Sequence, residues 1–168
     1  MSVDIVRQAN PADEVIPGLW LGSRYAALDP GYLKEKKIGA VFNCTKDIPF
    51  EPMIRRQYRV PVDDNLQEAE IRNLELWSYE IVYKILAEHR RCLDEGTGVL
   101  VHCAAGMQRS AASVAMYLVG TKNMTTDEAI RYIQSKRKIA FRPSANFEKS
   151  IRGFEASFNR EIRPNLSA

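Results

Sequence analysis

The segment from Gly98 to Val119, GVLVHCAAGMQRSAASVAMYLV, constrains the fold more than any other stretch of the chain. Val99 to Val101 is a compact β-branched run with the composition of a strand. Ala111 to Val119 is apolar nearly all round, which predicts a buried helix. A short loop of mostly small residues joins the two, so a strand must feed almost directly into a helix. Such a junction can turn successive backbone N–H groups inward as a nest, backed by the positive end of the helix dipole. Ala104, Ala105 and Gly106 allow an anion to approach the backbone closely, and Gly106 permits a positive φ. The segment therefore reads as a phosphate site. The Walker pattern G-x-x-x-x-G-K-[ST] is absent, so nucleoside-triphosphate binding of that type is not supported.

Elsewhere, strands and helices alternate. Gly18 to Gly22 is a short strand, and Asp29 followed by Pro30 caps a helix ending near Lys36 and Lys37. Ile38 to Cys44 reads as a buried strand, and Gln57 to Val62 as another that Pro61 assigns to an edge or an ending. Leu74, Trp77, Ile81 and Ile85 recur at helical spacing within a long amphipathic helix from about Leu66 to Leu93, stopped by Gly96. Thr125 and Glu128 form a capping box for a helix to about Lys136. Phe147, Ile151, Phe154 and Phe158 mark the core-facing stripe of a last helix. The opening through Pro17 is expected to be an irregular arm, and Pro164 onward a polar tail. The alternation predicts a single α/β domain over 1–168, with its core at about 14–160.

Composition narrows the function classes. With 168 residues, 45% apolar and 27% charged, the chain can bury its own core. A net charge of +3 favours anionic partners without the excess expected of a nucleic-acid coat or a membrane-surface protein. The three Cys and two His contain no C-x-x-C or H-x-x-x-H pair, so no structural zinc site is expected, and no cofactor or metal. The odd, scattered cysteines, the lack of an apolar leader at Met1 to Asn10 and the absence of any long apolar run predict a soluble cytoplasmic protein.

Cys103 opens the small-residue loop. The field that binds a phosphate dianion also stabilises a thiolate, and helix N-termini and cations lower a thiol pKa to between about 3.5 and 7.5. Arg109 closes the loop with a guanidinium able to grip two phosphate oxygens in a bidentate fork. Those oxygens carry charge in the transition state of phosphoryl transfer, so the same side chain serves catalysis. His102 leaves the strand on the opposite side from Cys103 and is read as a residue that orients the loop through backbone hydrogen bonds. Ser110, at the helix start, is placed to stabilise the thiolate when it leaves the phosphoenzyme.

These residues resemble the Cys-dependent phosphatases that share H-C-x5-R-[ST], and among them the small dual-specificity protein phosphatases. The stretch WLGSRYAALDPGYLKEKKIGAVFNCT is similar to that family's opening, VPVDDN to its general-acid loop, and Asn146–Phe147 to the start of its last helix. The resemblance spans roughly Glu14 to Asn159. It implies a central mixed β-sheet flanked by helices, with a phosphocysteine intermediate on Cys103. The backbone of Ala104, Ala105, Gly106, Met107, Gln108 and Arg109 would bind the phosphoryl group. A carboxylic acid protonates the leaving oxygen and then activates water. The family pattern selects Asp64 for that role, with its neighbour Asp63 as the alternative, and Asn43 matches an Asn that braces the phosphate loop.

The resemblance also narrows the substrate. A chain this short lacks the segments that deepen the pocket of tyrosine-specific enzymes, which implies a shallow site open to phosphotyrosine and to phosphoserine or phosphothreonine. Ala104 and Met107 stand where phosphoinositide phosphatases often carry Lys, which favours a phosphorylated protein as partner, with no membrane or nucleic acid. RNA 5′-triphosphatases on the same scaffold, which usually carry a loop His and Asn-Arg-Thr, and non-catalytic phosphate-binding modules are the competing readings. Gln108 departs from the commoner Ser; poxviral members have Asn there. The oligomeric state is open. Among the other candidates, Cys44 reads as a buried strand thiol or a redox partner of Cys103, and Cys92 as structural or exposed. His89 reads as a partner of the helix dipole. Lys136, Arg137, Lys138 and Arg142 read as a solvated helix end or a basic rim.

Overall fold

A computed structural model describes residues 3–166. Its strands are β1 (Ala12–Ile16), β2 (Leu19–Gly22), β3 (Ile38–Asn43), β4 (Arg56–Arg59) and β5 (Gly98–His102). They form one mixed sheet in the order β1-β2-β5-β3-β4, antiparallel only between β1 and β2. The strand that feeds the small-residue loop thus lies at the centre. Its neighbours finish level with it: Gly22 and Asn43 both pair with His102, and Arg59 pairs with Asn43. Four parallel strands therefore deliver their following loops to one edge of the sheet, the edge where open α/β sheets bind ligands.

One face carries the short helices α2 (Arg24–Ala27) and α3 (Pro30–Glu35), the latter capped by Asp29, whose side chain accepts from Tyr32 N at 3.1 Å. They cover a small core that includes Ala26, Leu33, Val41 and Leu100. The other face carries α4 (Glu68–Glu95), α5 (Arg109–Thr121), α6 (Thr126–Lys136) and α7 (Glu148–Glu161). Residues Ser110 to Val119 of α5 are all buried. This helix packs on β5 and is walled by α4, α6 and α7, which explains why it is apolar nearly all round. Gly96 ends α4 in the left-handed region, and Thr125 with Glu128 forms the capping box of α6. Phe147, Ile151, Phe154 and Phe158 are buried, as the helical stripe requires. Among the described residues, no helix is long and apolar enough to cross a membrane.

Both ends are more ordered than expected. The opening forms a short helix α1 (Val3–Gln8) and then β1, which hydrogen-bonds to β2 although Pro11 and Pro17 flank it. The prolines bound the strand rather than interrupt it, and Ala12 and Val15 are buried in the two separate cores. Within the expected tail, α8 (Arg163–Leu166) adds one further turn. Residues 1–2 and 167–168 of these two segments lie outside the described residues.

His89 and Arg137 differ from their expected setting, and Cys92 takes the first of its two readings, structural rather than exposed. His89 is buried and bridges elements: Nδ1 lies 2.8 Å from the Tyr117 hydroxyl, and Nε2 lies 2.8 Å from the Pro17 carbonyl. It is a crosslink between α4, α5 and the β1–β2 turn, not a dipole partner. Cys92 is buried, with its sulfur accepting from Arg56 Nη2 at 3.3 Å. Arg137, expected at a solvated helix end, is 1% exposed and reaches under the small-residue loop. Its guanidinium donates to the carbonyls of Gly106, Ala105 and Asn10, at 2.9, 3.1 and 2.8 Å, and pairs with Asp13 at 2.9 Å. Lys136, Lys138 and Arg142 remain exposed.

Candidate active site

The loop after β5 wraps around the sulfur of Cys103, which is buried yet lines a cleft of about 290 Å³ with Ala104, Ala105, Gln108, Arg109 and Asp64. Gly106 makes the wrap possible. Its φ is +69°, and a Cβ there would stand 2.5 Å from the backbone of Gly22. That turn aims the N–H groups of Gly106 and Ser110 at the sulfur. The Ser110 hydroxyl lies 3.1 Å from it. Burial alone would raise the thiol pKa. The Arg109 charge, the Ser110 hydroxyl and the two N–H groups outweigh it, so the net shift is downward, toward thiolate. The other buried thiol near the loop behaves oppositely. Cys44 is 3.5 Å from the Ser113 hydroxyl, and burial pushes it up to about 12. Both cysteines are free, so neither is engaged in a disulfide.

Among the described residues, Arg109 is held in a way that leaves part of its fork unpartnered. Nη1 donates to the Val62 carbonyl at 3.0 Å, whereas Nε is buried without any partner. A buried guanidinium N–H without an acceptor is costly, and an oxyanion bound along the Nε–Nη2 edge would satisfy it. The first turn of α5 also lacks a side-chain cap, leaving its N–H groups to the loop and its ligand. Site and anion match in geometry and sign.

The two candidate acids separate. Asp64 lines the Cys103 cleft, and its Oδ1 accepts from Asn146 Nδ2 at 2.9 Å. Asp63 turns to Lys46 at 3.1 Å and lines, together with Asp64, the neighbouring cleft of about 430 Å³, beside Arg24, Thr45, Asp47 and Arg109. The acid loop is fastened from several sides. Besides Arg109 on Val62, the buried Glu70 accepts from Asp63 N at 2.9 Å, and Asn73 donates to the Pro61 carbonyl at 3.1 Å.

His102 is fully buried. Its ring Nδ1 lies 3.2 Å from the Cys103 carbonyl, and desolvation pushes its pKa down to about 4. The neutral ring thus donates to the loop backbone, as its direction from the strand predicts. Asn43 departs from expectation. Its side chain donates to the Ile48 carbonyl at 2.7 Å and accepts from Thr45 N and Oγ1, so it organises the loop after β3 rather than the loop around Cys103. The reason is proximity: at the end of β3 its own following turn curls back within reach. Only main-chain bonds tie that strand end to β5, with Cys44 N donating to the His102 carbonyl at 2.8 Å.

Gln108 also acts differently from a simple loop residue. Its side chain is buried and points away from the sulfur, into the segment before α7. Nε2 donates to the carbonyls of Arg142 and Ser144 at 3.1 and 2.8 Å, and Oε1 accepts from Asn146 N at 2.9 Å. Sequence reasoning missed Asn146, Arg137, Glu70 and Asn73 as supports of the site. Asn146 and Asp64 are 82 positions apart, so no local pattern joins them. Among the described residues, no group of three or more His, Cys, Asp or Glu could hold a metal ion.

Comparison with known proteins agrees with this architecture. Residues 19–157 match the family described as "Dual specificity phosphatase, catalytic domain". Human dual specificity protein phosphatase 1 is 31% identical over 168 residues, covering 99% of this chain and 42% of the relative. The Slingshot homolog protein phosphatase of Xenopus laevis is 28% identical over 152 residues, covering 90% of this chain and 21% of the relative. The chain thus spans less than half the length of these curated relatives. The crystal structure of human DUSP28 superposes with a TM-score of 0.69 at 25% identity, covering 89% of this chain and 95% of that one. A fold with a central mixed sheet, a thiol cradled by an H-C-x5-R loop and a match across most of the residues place this chain in the dual specificity phosphatase catalytic-domain family.

Proposed function

We propose that this protein is a dual-specificity protein phosphatase that hydrolyses phosphotyrosine and phosphoserine or phosphothreonine through a phosphocysteine on Cys103. The observation that carries the reading is the unpartnered, buried Nε of Arg109 beside a thiol held below its ordinary pKa. Arg109 and the N–H groups of the loop from Ala104 through Met107 and Gln108 grip the three phosphoryl oxygens. The Cys103 thiolate attacks phosphorus in line while Asp64 gives its proton to the departing seryl, threonyl or tyrosyl oxygen. Asp64, now ionised, takes a proton from water as that water attacks the phosphocysteine. Phosphate leaves, and the Ser110 hydroxyl stabilises the departing thiolate. His102 fixes the loop backbone. We read residues 1–168 as one phosphatase domain, with a phosphorylated protein as partner. The three free thiols suit a reducing compartment, the cytoplasm.

The test is hydrolysis of an aryl phosphate and of phosphotyrosine and phosphothreonine peptides, with EDTA present. Turnover is expected for wild type, none for Cys103→Ser, and a loss of about 10²-fold or more for Asp64→Ala. A drop confined to Asp63→Ala would move the acid role to Asp63. Faster phosphate release from 5′-triphosphorylated RNA than from peptides would replace the substrate class. Peptide binding by a folded wild type without turnover would make the protein a binding module.

A further inference from the structure

The side chain of Gln108 makes three hydrogen bonds, all to one segment: the carbonyls of Arg142 and Ser144 and the N–H of Asn146. A primary amide has two donors and an acceptor with the geometry to clamp a short loop in this way, and a Ser at the same position has neither the reach nor the number. The buried setting of Gln108 makes each bond obligatory, since an amide left unpaired there would be costly. The clamped segment ends at Asn146, and the Asn146 side chain donates to Asp64 Oδ1 at 2.9 Å. A continuous path of hydrogen bonds therefore runs from the loop around Cys103, through Gln108 and the backbone of Asn146, to the carboxyl opposite the thiol.

We propose that Gln108 and Asn146 are positioning residues that set Asp64 over the leaving group, so that the phosphate loop itself dictates where the acid stands. This deepens the phosphatase reading above and rests on Asp64 as its acid. The amide of Asn146 occupies Oδ1 of Asp64, which leaves Oδ2 as the oxygen that carries the transferable proton. Neither Gln108 nor Asn146 exchanges a proton with substrate. The path also locates Arg142 at the mouth of the cleft, because Gln108 holds its carbonyl.

A misplaced acid has a signature that a damaged phosphate loop lacks. An aryl phosphate with a strongly acidic phenol, such as 2,4-dinitrophenyl phosphate, departs without proton donation, whereas phenyl phosphate depends on it. For Gln108→Ala and Asn146→Ala, kcat/KM on phenyl phosphate, which reports phosphoryl transfer to Cys103, is expected to fall by about 10-fold or more. On 2,4-dinitrophenyl phosphate, kcat/KM of Asn146→Ala should change by less than about two-fold, with competitive inhibition by inorganic phosphate likewise within about two-fold. Gln108→Ala, whose backbone lies in the phosphate loop, should lose clearly less on this ester than on phenyl phosphate. Asp64→Ala should show the same selectivity more strongly. Equal losses on both substrates with weakened phosphate inhibition, or no loss on either, would overturn the proposal. If Asp64→Ala shows the selectivity and the two amide variants do not, this proposal falls while the acid assignment stands. If Asp64→Ala shows none, the acid assignment falls and takes the proposal with it. Asn146 is half-buried and outside the core, so Asn146→Ala decides the matter should Gln108→Ala fail to fold.

Discussion

At the scale of single residues, the environment sorts chemically equal groups into different roles. Cys44 and Cys103 are both buried thiols, each with a serine hydroxyl and the Arg109 charge acting on it, yet Cys103 also receives the backbone N–H groups of Gly106 and Ser110, and Arg109 is its leading stabiliser. At about pH 6, iodoacetate should therefore alkylate Cys103 through the cleft and leave Cys44 and Cys92 intact, as peptide mass mapping would reveal. Arg109→Lys keeps the charge but loses the fork, and kcat on an aryl phosphate should drop by roughly 10²-fold or more. His102 makes a stability prediction. Its folded pKa lies below the unfolded value, so the unfolded chain takes up a proton that the folded ring refuses as pH falls. The stability present above pH 6.5 should decline toward pH 4, by roughly 3 kcal/mol from this group. Urea denaturation of wild type and His102→Gln across that range checks it: the variant should lack this part of the acid dependence.

At the scale of elements, the site is a junction of loops, and its stiffness comes from what lies behind it. The loop after β5 touches the end of β2 so closely that Gly106→Ala would drive a methyl group into the Gly22 backbone, besides straining a positive φ. That variant should lose nearly all turnover and melt at a lower temperature, measured by calorimetry. Beneath the loop, Arg137 at the end of α6 ties Ala105 and Gly106 to Asn10 and Asp13 at the start of β1. Arg137→Met should cost about 3 kcal/mol in denaturant unfolding, because it strands the Asp13 carboxylate and takes the donors from the Gly106, Ala105 and Asn10 carbonyls, the first of them buried. A smaller effect, with β1 still paired, would show that the loop stands without its strut. The N-terminal segment is in this sense part of the site's foundation, although none of its described residues lines the cleft of Cys103.

At the scale of the whole molecule, the reaction needs two groups in opposite protonation states at once. The rate constant kcat/KM should rise as Cys103 ionises, early because its pKa is lowered, and fall as the acid loses its proton. A bell centred below neutrality is the expected profile, and a flat one from about pH 5 to 7 would break the pairing of these two groups. Much of this was legible in the chain. The β-branched run at Val99 to Val101, the small-residue loop and the all-apolar helix are local patterns, and their order on a line fixes a strand–loop–helix junction. Caps at Asp29 and Thr125 and the Phe stripe of α7 likewise act within a few residues of themselves. The irregular opening was misread because β1 draws its order from hydrogen bonds to β2 and from Arg137, 124 positions beyond Asp13. Asn43 was assigned to the wrong loop because a family pattern fixes which residue stands at a strand end, not which turn its amide reaches. Covalent order alone determined the candidate nucleophile Cys103, the candidate clamp Arg109 and the loop between them, since these two residues lie six positions apart on one junction. Only the tertiary structure decided which carboxyl lines the cleft of Cys103, what Gln108 holds and where Arg137 goes, because hydrogen bonds between distant segments exist only once the sheet has brought their loops to a common edge.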